Sequence, residues 1–172
     1  MLALCVTTLL VLAACAGRRV AATAPPVAPG PGAATVDRVV DGDTIIVRLA
    51  ARRERVRLIG IDTPESVKPN TPVQCFALEA SHRTKSLLPA GTAVRLEGDV
   101  DPRDQYGRLL AYVFRQRDGL FVNLSLAEDG YAVPYTYPPN VAHVDEFVSA
   151  AAEARSANRG LWGRCGDEIP HH

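Results

Sequence analysis

Across 172 residues, 19 Lys and Arg balance 19 Asp and Glu, so no net charge advertises a polyanionic partner. A hydrophobic content of 47% allows a proper core and excludes wholesale disorder. Residues 1–17 carry no charge and no uncharged run is longer, which falls short of the roughly 20 residues that span a bilayer and argues against an integral membrane protein.

Residues 1–15 form an apolar segment ending in Leu12, Ala13, Ala14 and Cys15. Small residues before a cysteine resemble a bacterial lipobox, whose thiol takes a diacylglyceryl group, so Cys15 is a candidate lipidation site. No Lys or Arg precedes the apolar run, and Ala14-Cys15-Ala16 also fits a small-x-small cleavage site for plain secretion. Either reading predicts export, with Cys15 as the one route to a membrane. Residues 16–35 hold Pro25, Pro26, Pro29 and Pro31 with Gly30 and Gly32, a composition that predicts a semi-extended linker.

From residue 36 the pattern changes. Residues 36–49 alternate and are rich in β-branched side chains, interrupted at Asp41-Gly42-Asp43, which predicts two strands meeting at a tight turn. Residues 53–61 alternate through Arg55, Val56, Arg57 and Leu58 and read as a third strand, ended by Pro64. Residues 66–73, with Pro69 and Pro72, read as a polar loop. Apolar positions at Phe76, Ala77, Ala80 and Leu87 predict a helix over 76–88, stopped by Pro89 and Gly91. Strands are predicted at 92–97 and 109–114, around a charged loop. A short helix at 122–127 is closed by Gly130, and a long amphipathic helix at 141–159 is capped by Gly160. The sum is an α+β protein: a small five-stranded Greek-key barrel of the OB type with about three helices over residues 36–166, then a tail at 167–172.

Charge is unevenly placed. Residues 38–117 hold 14 basic side chains against 10 acidic, whereas residues 118–172 hold 3 against 8. Such asymmetry can put an anion site on one side of a fold.

Three clusters carry the candidate chemistry. In Val40-Asp41-Gly42-Asp43-Thr44, two carboxylates flank a glycine, an arrangement suited to a hard cation and equally found in an ordinary Asp-Gly turn. In Arg57-Leu58-Ile59-Gly60-Ile61-Asp62-Thr63-Pro64-Glu65, a strand delivers a guanidinium and its end presents two carboxylates. In Asp104-Gln105-Tyr106-Gly107-Arg108, a turn launches Arg108 from the base of the next strand. His82, His143, His171 and His172 lack zinc spacing, while Tyr106, Tyr112 and Trp162 read as packing residues.

Together and in this order, the three segments resemble the thermonuclease, or staphylococcal-nuclease-like, family. Weaker support comes from residues 122–132, from Tyr135-Thr136-Tyr137-Pro138-Pro139-Asn140 and from Gly160-Leu161-Trp162. The resemblance implies one Ca²⁺ held by Asp43, Asp62 and the backbone carbonyl of Thr63, with Asp41 as a supporting carboxylate. It makes Glu65 the candidate general base and Arg57 and Arg108 the groups that grip the scissile phosphate. Tyr135 and Tyr137 would contact the nucleotide, and Lys68 is all that stands for a Lys-rich loop found in some relatives. The implied protein is an exported, monomeric, Ca²⁺-dependent nuclease acting on DNA and RNA with little sequence preference and leaving 3′-phosphate ends. The alternative is a non-catalytic OB-type module that binds nucleic acid or another anion at the cell envelope.

The cysteines give a separate expectation. Cys5 leaves with the export segment and lipid consumes Cys15, so Cys75 and Cys165 remain to pair in an oxidising medium, the alternative being two buried thiols.

Overall fold

The computed structural model describes residues 32–67 and 72–169. Cys15, Lys68, the expected export segment and most of the expected linker lie outside the described residues.

Strands β1 (Ala33–Asp41), β2 (Thr44–Leu49) and β3 (Arg52–Leu58) follow one another as antiparallel neighbours. After a short strand β4 (Gly60–Asp62) and helix α1 (Ala77–Leu87), β5 (Ala93–Glu97) and β6 (Leu109–Arg115) complete a closed barrel in the order β1-β2-β3-β6-β5. The β3–β6 pairing is parallel, with Val56 opposite Leu109 and Leu58 opposite Ala111. The strand alternation fills the barrel: Ile45, Val47, Val56, Leu58, Val94 and Val113 are all inaccessible. Each such side chain contributes about 1.5–3 kcal/mol through burial. Helices α2 (Val122–Glu128) and α3 (Val144–Ser156) bury Leu126 and Phe147 against the same core, so the expected OB-type α+β fold is the observed one.

β1 begins at Ala33, so the last three residues assigned to the linker are paired with β5. Ala34 is buried there, and alanine is small enough to serve both compositions.

The predicted third strand is two strands. The chain leaves the barrel at Ile59, and Gly60 turns it with φ of 82°, a value that favours glycine. A Cβ at Gly60 would come within 2.1 Å of the Phe147 ring on α3, so the absent side chain also makes room for helix packing. Asn123, fully buried on α2, satisfies the break. Its Nδ2 donates to the Ile59 carbonyl at 2.9 Å, and its Oδ1 accepts from the Val113 N–H at 2.9 Å. Freed from the barrel, β4 pairs with β7 (Val133–Tyr135), a strand too short to show an alternation.

Helix α3 is shorter than 141–159 at both ends. Upstream, the Ala142 N–H is captured by the Asp99 carboxylate at 2.9 Å. Downstream, Asn158, not Gly160, takes the left-handed position with φ of 51°, and the Arg159 N–H closes onto the Ala154 carbonyl at 2.9 Å. Gly160 instead precedes a short helix α4 (Leu161–Arg164) and lies against Gly130, where a Cβ would meet the Gly130 oxygen at 2.1 Å.

Cys75 and Cys165 are disulfide-bonded with a Cα separation of 5.8 Å, inside the roughly 7 Å that the linkage allows. The expected tail also begins inside the fold. Residues Gly166–Glu168 make a 3₁₀ turn, and Ile169 is buried in the small cluster around Leu161 and Cys165.

Candidate active site

The β1–β2 turn places Asp41 and Asp43, both buried, on either side of Gly42. A Cβ at Gly42 would sit 2.6 Å from the Thr63 hydroxyl, so this turn can lie against Thr63 only because it carries no side chain. Thr84 of α1 fixes it from below, its hydroxyl donating to the Gly42 carbonyl at 2.5 Å. Asp43 Oδ2 then accepts from the Thr63 N–H at 3.0 Å and the Thr63 hydroxyl at 3.1 Å, while Oδ1 accepts from the Thr44 hydroxyl at 3.0 Å.

Arg57 ties the two motifs together. Its Nη1 donates to the carbonyls of Leu58 at 2.7 Å and Ile61 at 3.0 Å, bridging the β3–β4 break, and lies 3.1 Å from Asp43 Oδ2. Its Nη2 donates to Asp62 Oδ1 at 2.6 Å. One guanidinium therefore holds Asp43 and Asp62 side by side. Both belong to an oxygen-only donor set, with no thiol or imidazole among the described residues of the cleft wall, which fits a hard cation. Among the described residues no three His, Cys, Asp or Glu side chains form a metal cage by themselves, so an ion here would also draw on the Thr63 carbonyl and water.

Asp41 accepts from the Ser66 hydroxyl at 2.5 Å and from the Gly42 N–H at 2.9 Å. Burial pushes its carboxyl above the ordinary value; the Ser66 hydroxyl opposes that, and the hydrogen-bonded Glu65 side chain adds to it. Glu65 is positioned by a residue the sequence reading missed. Its N–H donates to Gln74 Oε1 at 2.7 Å, the Gln74 N–H donates back to the Glu65 carbonyl at 3.1 Å, and Glu65 Oε1 accepts from the Val67 N–H at 2.9 Å. Gln74 stands next to bridged Cys75, so the loop's return point is anchored covalently.

Arg108 arrives from the opposite wall. Asp104 Oδ2 accepts from its Nε at 2.5 Å, and Tyr106 lies under its guanidinium at 5.5 Å. Asp41, Asp43, Asp62 and Glu65 share a cavity of about 480 Å³ with Arg55, Arg57 and Arg108. With all groups at their ordinary charges, four carboxylates face three guanidinium groups, a balance of −1 that favours a cation. Arg55 was not singled out in the sequence, although its place two residues before Arg57 on one strand puts both on one face.

A second cavity of about 270 Å³ adjoins the first, walled by Arg57, Tyr106, Arg108, Tyr135 and Tyr137. The rings of Tyr135 and Tyr137 lie 6.2 Å apart and nearly parallel. Tyr106 is 75% exposed and borders both cavities, which corrects its reading as a packing residue: it sits at a loop tip with no core beneath it. Tyr112 does pack. It is buried, and its hydroxyl donates to Asp99 at 2.9 Å. Trp162 is half-buried under the Arg155 guanidinium, 4.3 Å away.

An OB-type barrel with two guanidinium groups on a carboxylate-lined cleft has the chemistry to hold a phosphate beside a cation. The family model for staphylococcal nuclease homologues matches residues 55–164, more than half of the 172. The chain is 49% identical to a thermonuclease of Staphylococcus intermedius over 75% of each chain. It is 43% identical to a thermonuclease of Staphylococcus hyicus, over 74% of this chain and 73% of that one. Endonuclease YncB of Bacillus subtilis (strain 168) is 43% identical over 77% of this chain and 62% of its own length. The chain belongs to the staphylococcal nuclease homologue family, whose members generally depend on a metal ion.

Proposed function

We propose that this protein is an exported nuclease that hydrolyses DNA and RNA in a Ca²⁺-dependent reaction, with little sequence preference and with 3′-phosphate products. The observation that carries it is the pair of guanidinium groups, Arg57 and Arg108, facing Glu65 across one carboxylate-lined cleft. Nuclease activity itself follows from the family; the ion, the products and the location are the proposed part.

A phosphodiester resists hydroxide because it is already an anion, and the site must neutralise the charge that builds at phosphorus. Arg57 and Arg108 donate to the phosphoryl oxygens from two sides, and Glu65 orients the attacking water. Water adds to phosphorus, the bond to the 5′ oxygen breaks, and a 3′-phosphate and a 5′-hydroxyl remain. Asp43, Asp62 and the Thr63 carbonyl would hold the Ca²⁺, with Asp41 in support. When bound, the ion supplies Lewis acidity at the phosphoryl oxygen. Tyr135 and Tyr137 offer ring faces to a base, and stacking tolerates any sequence because every base has a π-face. Lys68 would add a phosphate contact, as the family resemblance implies.

The test is digestion of plasmid DNA and of RNA by the purified protein in Ca²⁺ and then in EDTA, with end-labelling of products. Cleavage that needs Ca²⁺ and leaves 3′-phosphates is expected. Nucleic acid bound but left intact in Ca²⁺ would replace this reading with the binding module.

Export is proposed on sequence grounds, as is the monomeric state. Among the described residues no helix is long and apolar enough to cross a membrane. With a lipid on Cys15, the roughly seventeen residues before β1, at about 3.1 Å each, would let the cleft work on the order of 50 Å from the bilayer. Mass spectrometry of the native amino terminus decides between an acylated Cys15 and a free Ala16 or Gly17.

A further inference from the structure

The catalytic cleft does not end the run of positive charge on this barrel. Residue pairing sorts the outer face of β1, β2 and β3 into three cross-strand rows. The first is Asp41, Thr44 and Arg57, which belongs to the cleft. In the second, Arg38 pairs with Ile46, which pairs with Arg55. In the third, Thr35 pairs with Arg48, which pairs with Arg53. The inward partners Ile45, Val47 and Val56 are inaccessible, so Arg38, Arg48, Arg53 and Arg55 all stand on the solvent side, and all are exposed. Along β3, Arg53, Arg55 and Arg57 follow one another about 6.6 Å apart.

Little opposes this charge. Asp37 accepts from Arg48 at 2.9 Å and lies 3.3 Å from Arg53, one carboxylate shared by two guanidinium groups. Arg38 and Arg55 form no ion pair with any described residue. Four cations against one anion leave a formal +3 on this face, in a chain whose total is zero. Arg55 joins the two regions, because it stands in the second row and also lines the cleft.

We propose that this outer face is an extended subsite that holds the phosphate backbone of a long polynucleotide as it leaves the cleft. Arg55 is the first contact, and Arg38 and Arg53 the next. Half-buried Ile46, between Arg38 and Arg55, offers an apolar rest for a sugar or base. Phosphate contacts carry no sequence information, so the subsite raises affinity for long strands without adding specificity. It also favours repeated cleavage of one strand over release after each cut. The proposal rests on the nuclease reading above.

The experiment compares kcat/KM for a 20-nucleotide single strand with that for a dinucleotide too short to leave the cleft. It uses the full chain and an Arg38→Gln/Arg53→Gln variant. The long-to-short ratio is expected to fall about tenfold in the variant. In EDTA, where the strand stays intact, the slope of log Kd against log salt should shrink by about 1.4, two contacts at about 0.7 each for a single strand. An Arg38→Lys/Arg53→Lys variant should keep most of the wild-type ratio, which separates lost charge from lost fold. An unchanged ratio in a folded Gln variant overturns the subsite. So does a Gln variant that keeps its ratio but no longer binds phosphatidylglycerol vesicles, which would make the face a membrane surface. A wild-type protein that cleaves neither substrate fails the nuclease reading instead.

Discussion

The two cleft arginines are mounted in opposite ways. Arg57 leaves a barrel strand, is 12% exposed, and is held by two backbone carbonyls and two carboxylates. Arg108 leaves the end of a hairpin loop, is 27% exposed, and is held by one carboxylate, with a solvent-facing tyrosine beside it. The first is part of the frame that positions Asp43 and Asp62 and closes the β3–β4 break. The second bonds only within its own loop, to Asp104, and bridges no break in the barrel. Identical side chains with matching proposed roles therefore carry different structural duties, and substitution should separate them.

The largest effect is expected for Arg57→Ala. The cleavage rate should fall by about 10²–10³, and loss of the Arg57 bonds to Asp43, Asp62 and two carbonyls should cost about 3 kcal/mol of stability, read from denaturant unfolding in EDTA. Arg57→Lys should recover little of either, because an ammonium cannot span two carbonyls and two carboxylates at once. A fold as stable as wild type would show that Arg57 is mounted like Arg108 after all.

Removing the Cys75–Cys165 bridge sharpens the contrast from the other side. It closes a loop of 90 residues, so a Cys75→Ser/Cys165→Ser variant should lose about 4–5 kcal/mol in the chain-entropy account. Cleavage well below the lowered melting point should persist at a reduced rate, because neither sulfur lines the cleft but the Gln74 loop that holds Glu65 loses its covalent anchor. For Arg108→Ala the reverse holds. The rate should fall by about 10²–10³ while stability stays within about 1 kcal/mol, since a single partly exposed pair is lost.

The smallest effect concerns pH at a site outside the cleft. Burial pushes the Asp99 carboxyl up, but bonds from the Ala142 N–H, the Tyr112 hydroxyl and the Val100 N–H outweigh it and leave the group below its ordinary 3.8. Burial first, then the bond to Asp99, raises the Tyr112 phenol, which stays neutral. A depressed carboxyl gives stability that is present above 3.8 and lost as pH falls below it. Acid unfolding of Asp99→Asn should therefore show a shallower loss below pH 3.8 than the parent; equal slopes would remove the assignment.

Much of this was legible in the sequence, because periodicity and short-range chemistry carried it. The strands of residues 36–49 announced themselves by alternation, and the cleft motifs by residue type and order. What escaped depended on partners far along the chain. The break at Ile59–Gly60 is fixed by Asn123 and Phe147, and the Asp-Gly-Asp turn by Thr84. Gln74 reads as an ordinary loop residue until its bonds to Glu65 are seen. Gly160 looked like a helix cap because glycine usually is one; its actual constraint is the close approach of Gly130, thirty positions earlier. Tyr106 was misread because an aromatic ring suggests a core when nothing marks the loop tip beneath it as open.

The Gly60–Phe147 contact also bears on when the protein becomes active. All five barrel strands are complete by Arg115, yet the ring that seats against Gly60, and β7 which pairs with Asp62, are contributed by residues 133–147. A ribosome working from the amino terminus thus finishes the barrel before it supplies what holds the carboxylate strand in place. The strand that carries Asp62 is therefore seated only after the third helix has emerged.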